Sequence, residues 1–178
     1  MKQIAYFCLI LLYLSACGQN NTSTANAPDK QALIESIIKL EKTLVAIQDA
    51  RKDTATANAL IAKTELFVEH FPKDSLAPIF LFRTGDVARG AGKVNKSISM
   101  WSKVWRGYSD HPLAPRALFA QAFTFDSELQ FKKDAKQYYK KFLSTFPEHE
   151  LAPQVEQLLA VIDQSPEELI RAFEKNRE

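Results

Sequence analysis

Three histidines, His70, His111 and His149, have the widest range of possible chemistry in this sequence, because an imidazole can bind a metal or transfer a proton near neutral pH. Each lies close to a proline-containing junction, and successive histidines are 41 and 38 residues apart. We expect that spacing to separate them by a whole structural unit, whereas histidine ligands of one zinc ion lie about 2.1 Å from it. The sequence therefore favours exposed turn histidines and predicts no metal site.

A glycine-rich run and two acidic pairs are the other candidates for chemistry. The run Gly90–Lys93 contains two glycines and a lysine, but Val87 and Val94 occupy positions where a phosphate-binding loop requires glycine and a hydroxyl residue. The acidic pairs Glu148–Glu150 and Glu167–Glu168 lie in a predicted turn and a predicted helix start, without the apolar pocket that acid–base catalysis uses. We predict no catalytic residue, no cofactor and no enzymatic activity.

The composition of the 178-residue chain limits the class of protein. Lysine and arginine total 23 against 21 aspartate and glutamate, a net charge of +2, which lacks the basic excess of a nucleic-acid-binding protein. Hydrophobic residues make up 46%, enough for the core of one domain, while five glycines are too few for a turn-rich β fold. Two cysteines cannot build a disulfide framework. These values predict one helical domain with no nucleic-acid partner.

The N-terminal residues are typical of a secretion signal. Lys2 provides a positive charge, and Ile4–Leu14 is an apolar run of eleven residues, shorter than the roughly 20 that span a membrane. The run ends in Leu14–Cys17, Leu-Ser-Ala-Cys, which resembles the lipobox of bacterial lipoproteins. That resemblance implies a signal peptide over residues 1–16 and attachment of fatty acids such as palmitate to Cys17, as the membrane anchor. The alternative is an ordinary signal peptide in which Cys17 is incidental.

A polar segment follows the cysteine. Residues 18–30 are nearly free of bulky apolar groups, so we expect residues 17–30 to form the lipidated end and a disordered tether. Thirteen residues of extended chain reach at most about 45 Å. Gly18 and Gln19 follow the cysteine, where by resemblance to bacterial lipoproteins an aspartate would favour retention in the inner membrane. Residues 18–27 also lack the acidic cluster by which some bacterial lineages export lipoproteins to the cell surface. The sequence therefore predicts a lipid anchor in the outer membrane, facing the periplasm.

An internal repeat organises the rest of the chain. The tripeptide Leu-Ala-Pro occurs three times, at spacings of 37 and 38 residues, and an aromatic residue precedes each copy by five positions. The copies are Leu76–Pro78, Leu113–Pro115 and Leu151–Pro153, preceded by Phe71, Tyr108 and Phe146. Proline suits the first turn of a helix, and apolar residues recur every three or four positions, so each unit is predicted to be a helical hairpin. The predicted helices are Leu33–Ile47, Ala55–Phe71, Pro78–Gly90, Lys93–Tyr108, Pro115–Leu129, Lys132–Phe146, Pro153–Ile162 and Ser165–Lys175.

Small and aromatic residues recur at matching positions of two units. Each unit has a small residue in its first predicted helix. Its second predicted helix has another small residue, with an aromatic residue four positions later. These residues are Gly85, Ser97 and Trp101 in one unit and Ala122, Ala135 and Tyr139 in the next. With the junction Phe146–Pro153, this pattern resembles the tetratricopeptide repeat (TPR) of periplasmic envelope proteins of the BAM-lipoprotein and Tol-Pal coordinator type. The resemblance implies an all-α fold, a right-handed superhelix of about three hairpins over residues 31–164, with capping helices that include residues 165–178.

TPR proteins bind partner segments in a groove formed by the first helix of each unit. By that resemblance, the partner-binding residues are Phe82, Asp86, Arg89, Arg116, Phe119, Phe123 and Asp126. Apolar anchors with charges at the rim suit a peptide or a partner helix. The resemblance therefore implies a non-enzymatic scaffold that binds an envelope protein or peptide segment in outer-membrane biogenesis or envelope organisation.

Two alternatives for the function stay open, and so do two surfaces. Aromatic residues exceed what the core can hold, so some of Phe80, Phe123, Phe125 and Phe131 should be exposed, as in an accessory glycan- or peptidoglycan-binding subunit. An enzyme with the repeats as an appendage would need about 100 further residues. The stripe of Lys132, Lys136 and Lys140 is either a solvated face or a contact with anionic lipid or an acidic partner.

Overall fold

The computed structural model describes residues 28–47 and 50–165, together with 167, 168, 170 and 171. Within these residues the chain is all-α, as the sequence predicts, and contains no strand. The helices are α1 (Lys30–Ile47), α2 (Thr54–His70), α3 (Ala77–Gly90), α4 (Val94–Gly107), α5 (Leu113–Ser127), α6 (Lys132–Thr145) and α7 (Ala152–Val161), with a 3₁₀ turn at Ala50–Lys52. The predicted signal peptide, Cys17 and the tether up to residue 27 lie outside the described residues, as does most of the predicted last helix.

Helix boundaries deviate from the predicted ones by a few residues. Pro78 and Pro153 are the second residues of α3 and α7, and Pro115 is the third residue of α5, whereas the sequence predicts that each begins its helix. The N–H groups of the first helical turn have no intrahelical partner, so proline is tolerated throughout that turn. Phe71 and Phe146, predicted to be the last helical residues, are C-caps whose N–H groups donate to carbonyls four residues earlier.

The helices pack as a linear array. Each helix mainly contacts the helices directly before and after it in the chain, and α3 also contacts α5. One buried cluster joins α1, α2 and α3 and includes Ile37 and Phe67, while a second continues to α7 and includes Trp101, Tyr139 and Val155. Because each helix depends on its sequence neighbours to cover its apolar face, stability is distributed along the array.

The matching small and aromatic residues are buried against each other. A Cβ on Gly85 would lie 2.5 Å from Nε1 of Trp101, so glycine is what lets the indole approach α3. Nε1 of Trp101 donates a hydrogen bond to the carbonyl of Phe82 at 3.3 Å. The equivalent residues of the next unit, Ala122 and Tyr139, are both fully buried. The core positions that the repeat predicts are therefore confirmed here.

One extra turn residue accounts for the change in repeat length from 37 to 38. Gly92 (φ 75°) and Gln130 (φ 55°) occupy equivalent left-handed positions in the α3–α4 and α5–α6 turns. The N–H of Lys93 closes the first turn onto a carbonyl five residues earlier, and the N–H of Phe131 closes the second onto a carbonyl six residues earlier. The α5–α6 turn is thus one residue longer, and the helices on either side keep their register.

The turns between units share one construction, in which Asp74, His111 and His149 hold equivalent positions. Oδ1 of Asp74 accepts the backbone N–H two residues later at 2.8 Å, and Nδ1 of His111 and of His149 does the same at 3.2 Å. The sequence predicts exposed turn histidines. His70 is exposed at the end of α2, but His111 and His149 are half-buried, because each accepts a hydrogen bond that stabilises the turn before the next helix.

Candidate binding surface

A groove of about 530 Å³ lies between α1 and α3. It is lined by Glu41, Lys42, Val45 and Ala46 from α1 and by Arg83, Asp86 and Val87 from α3. Val45 is 76% exposed, and with Ala46 and Val87 it forms an apolar floor between charged side chains. A surface of this kind suits an occupant that provides both apolar and charged groups.

Two carboxyl groups in this groove are partly desolvated. Asp86 reaches solvent, but the concave surroundings withdraw enough water to raise its pKa to about 6, against the opposing effect of Arg89. Burial also raises the pKa of Glu41, although Arg83 pairs with it at 3.5 Å and opposes the shift. The second oxygen of Glu41, Oε1, is buried and has no hydrogen-bond partner within the described part of the chain. The groove lining therefore has two carboxyl groups and two cations, Lys42 and Arg83, and Arg83 is already paired with Glu41.

Among the predicted binding residues on α3, Asp86 lines this groove, whereas Phe82 and Arg89 are not among its lining residues. Phe82 is half-buried against the core, and its carbonyl accepts the hydrogen bond from Trp101. Arg89 is exposed and pairs with Glu128 at 3.3 Å, just beyond the end of α5. Arg89 thus ties two units together, and Asp86 is left without an ion pair among the described residues.

The predicted binding residues on α5 lie outside the α1–α3 groove. Arg116 is exposed and pairs with Glu150 of the α6–α7 turn at 2.9 Å. Phe119 and Phe123 are half-buried and stack with ring centroids 5.9 Å apart. These two rings, with Arg116, form a second patch on the first helix of a unit, with a charged residue at its edge.

Asp126 has a partner within its own unit. Its carboxylate accepts a hydrogen bond from the hydroxyl of Tyr139 at 3.2 Å. Burial of Tyr139, and then the neighbouring negative charge, raise the pKa of that hydroxyl above its usual value. Asp126 therefore links α5 to α6, a role that its spacing in the sequence does not reveal.

The α1 side of the groove is absent from the sequence prediction. The resemblance to TPR is carried by units with the Leu-Ala-Pro junction, and α1 precedes the first of these junctions. One feature of the sequence does indicate an exposed apolar surface on α1. Residues Leu44–Ile47 are four successive apolar residues, and one face of a helix cannot bury all four. Leu44 is buried and Val45 is exposed, as that excess requires.

The lysine stripe and the aromatic residues are partly engaged within the chain. Lys136 pairs with Asp163, while Lys132 and Lys140 are exposed on α6. Phe125 stacks between Tyr138 at 5.2 Å and Phe131 at 6.5 Å, and Phe80 is buried. Phe131 is 54% exposed. Among the described phenylalanine, tyrosine and tryptophan residues, it is the only one that is largely exposed to solvent.

Comparison with known proteins adds no relative. The chain matches no protein-family model, and no curated protein or solved structure matches it significantly. Across the described ranges no helix has both the length and the apolar character of a membrane span. The same residues contain no group of three or more histidine, cysteine, aspartate or glutamate side chains placed to hold a metal ion.

Proposed function

We propose that this protein is a lipid-anchored scaffold of the TPR type that binds a segment of another protein in the bacterial cell envelope. In this proposal it performs no catalysis and acts in outer-membrane biogenesis or envelope organisation. The observation that carries the proposal is the α1–α3 groove, whose apolar floor and charged walls are made by the first helices of two successive units.

The arrangement of hairpins supports a TPR-like superhelix. Small residues meet large aromatic ones inside successive hairpins, as Gly85 does with Trp101, and α3 contacts α5 across a unit boundary. The pairs Arg83–Glu41, Arg89–Glu128 and Arg116–Glu150 also link successive units. An array in which first helices neighbour each other presents one continuous face, which is the kind of surface that repeat proteins use for binding.

The membrane anchor rests on the sequence. The apolar run and the Leu-Ser-Ala-Cys box support acylation of Cys17, and the acid-free residues 18–27 support the periplasmic face of the outer membrane. Mass spectrometry of the N-terminal peptide of the mature protein tests this directly. We expect cleavage before Cys17 and the added mass of two or three acyl chains; an unmodified Cys17 would contradict the anchor.

Affinity capture of the full-length chain from detergent-solubilised envelopes tests the scaffold. We expect one defined protein complex, lost in the Val45→Asp variant, in the Arg116→Glu/Phe119→Asp variant, or in both. The control is Phe131→Asp/Lys132→Glu, which makes the same kinds of change at exposed positions in the α5–α6 turn and at the start of α6, outside both proposed binding patches. Retention of the complex by all variants, or its loss in the control alone, would contradict a binding face on the first helices.

The glycan-binding alternative predicts a different result in that experiment. Glycan recognition would use exposed rings, and Phe131 is the only largely open one among the described phenylalanine, tyrosine and tryptophan residues. Sedimentation of the purified chain with isolated sacculi, abolished by Phe131→Asp/Lys132→Glu, would replace the scaffold proposal with glycan binding. We expect the chain to stay in the supernatant.

A further inference from the structure

We propose that the α1–α3 groove binds a protein segment that presents an aliphatic side chain and, within one helical turn of it, a lysine or arginine that pairs with Asp86. This inference rests on the proposed function and deepens it, because it states the chemistry of the partner. The same geometry assigns the aliphatic side chain to the floor formed by Val45, Ala46 and Val87.

The size and lining of the groove argue for a few side chains as the occupant. A volume of about 530 Å³ lies within the range of pockets that hold small ligands, and it is open rather than enclosed. Val45, which lines the groove, leaves 76% of its surface exposed, and covering it would remove apolar area from water. An aliphatic side chain and a neighbouring lysine or arginine of one peptide or helix fit within this space together.

The charges around the groove argue for a cation on that segment. Arg83 is paired with Glu41 and Arg89 with Glu128, so the nearby cations on α3 are already engaged. Asp86 has no ion pair among the described residues, and an apolar occupant alone would desolvate its carboxylate further at a cost in free energy. A lysine or arginine supplied by the partner removes that cost and provides the missing counter-charge.

The remaining groups do not reverse this charge preference. Oε1 of Glu41, on the α1 side of the groove, is buried and has no hydrogen-bond partner among the described residues, so it adds no positive charge opposite Asp86. Lys42 lines the α1 side of the groove and is exposed, and its flexible side chain lets the ammonium group stay in water when the apolar floor is covered. The chain's own residues 18–27 contain neither a basic residue nor a bulky aliphatic one, so they lack the chemistry of the occupant.

Selection from a phage-displayed library of random dodecapeptides on the full-length chain in detergent tests the inference. We expect enriched peptides with an aliphatic residue and a lysine or arginine within four positions. A synthetic peptide of the consensus, titrated by fluorescence anisotropy, should bind Asp86→Lys at least about tenfold more weakly than the original chain. Asp86→Glu should retain binding, and replacing the basic residue of the peptide with glutamate should restore binding to Asp86→Lys.

Three other variants distinguish the ways in which this inference could fail. Glu148→Lys makes the same change of charge in an exposed turn away from the groove and should leave peptide affinity unchanged. Peptides that lack a basic residue, or that bind Asp86→Lys undiminished but lose binding to Arg116→Glu/Phe119→Asp, would overturn this inference and leave the scaffold proposal standing. No enriched peptide at all would overturn this inference, while failure of envelope capture would overturn the scaffold itself. Self-association abolished by Val45→Asp would make a second copy the occupant and overturn it too.

Discussion

The Nε1 atom of Trp101 lies 2.5 Å from the place that a Cβ on Gly85 would take. Helices α3 and α4 therefore approach each other at a distance that only glycine permits at this position. The contact lies inside one hairpin and orients α3, and α3 carries Asp86 on the wall of the groove. The position of the binding surface thus depends on one glycine in the core.

Replacing Gly85 with alanine should destabilise the protein by about 2 kcal/mol, because the added methyl group meets the indole of Trp101 and one of the two helices must shift. Urea unfolding followed by far-UV circular dichroism measures this change. Gly107→Ala is the matched control. None of the described residues places an atom within 4 Å of that Cβ, so the substitution should stabilise the protein by about 0.5 kcal/mol. Equal effects of the two substitutions would contradict the close packing.

Replacing Gln130 with glycine should stabilise the protein by about 0.5–1 kcal/mol, since a left-handed conformation is strained for a residue with a side chain. Gly92→Ala, at the equivalent turn, should destabilise by a similar amount. Both changes are measurable as shifts of the urea midpoint at constant slope. Destabilisation by Gln130→Gly would show that the two turns are not equivalent.

Much of the fold could be predicted from the sequence, because the positions of the helices and their buried faces are determined by residues close together in the chain. Prolines and apolar spacing mark where helices begin and which face is buried, and the small residue at Gly85 anticipates its partner Trp101. The boundaries were less accurate, because proline fits any position of the first turn. The extra residue of the α5–α6 turn shows only as a change in spacing from 37 to 38.

The turn residue His111 should be replaceable by aspartate and not by alanine. Asp74 occupies the equivalent position and accepts the same backbone hydrogen bond through its carboxylate, so His111→Asp keeps an acceptor where His111→Ala removes it. We expect His111→Ala to cost about 1 kcal/mol and His111→Asp to cost little, by thermal unfolding. Equal destabilisation by both variants would mean that the imidazole contributes through packing and not as an acceptor.

The stability of the protein should depend on Asp86 in a pH-dependent way. The pKa of Asp86 is raised to about 6 in the folded state, so ionisation of this carboxyl opposes folding. The resulting loss of folding free energy is absent below about pH 4, grows between about pH 4 and pH 6, and stays constant above pH 6. Asp86→Asn should therefore stabilise the protein at pH 7.5 by about 0.5–1 kcal/mol, a value reduced because the carboxyl reaches solvent, and should change little at pH 4.

Urea unfolding at the two pH values measures this difference. The other charged groups of the groove, Glu41, Lys42 and Arg83, and the neighbouring Arg89 are present in both chains, so the comparison isolates Asp86. A gain in stability that is equal at pH 4 and pH 7.5 would contradict the assigned desolvation of the carboxyl.

The candidate site could be predicted only in part. Asp86 is predictable because it lies on the first helix of a unit with a clear repeat pattern. Glu41 and Val45 are not predictable, because α1 has no such pattern. The ion pairs of Arg89 and Arg116 depend on which turn packs beside which helix. Contacts between residues about 40 positions apart arise from the stacking of units and leave no local signal.

Photo-crosslinking in intact envelopes tests the central claim most directly, with p-benzoylphenylalanine at position 45 in the α1–α3 groove and, as a control, at the exposed Gln137 of α6. Position 45 should form an adduct with one protein, mapping to a segment with an aliphatic residue and a nearby lysine or arginine, and Asp86→Lys should abolish it. Adducts with glycan or lipid only, or the same adduct from positions 45 and 137, would contradict a protein-binding groove between α1 and α3.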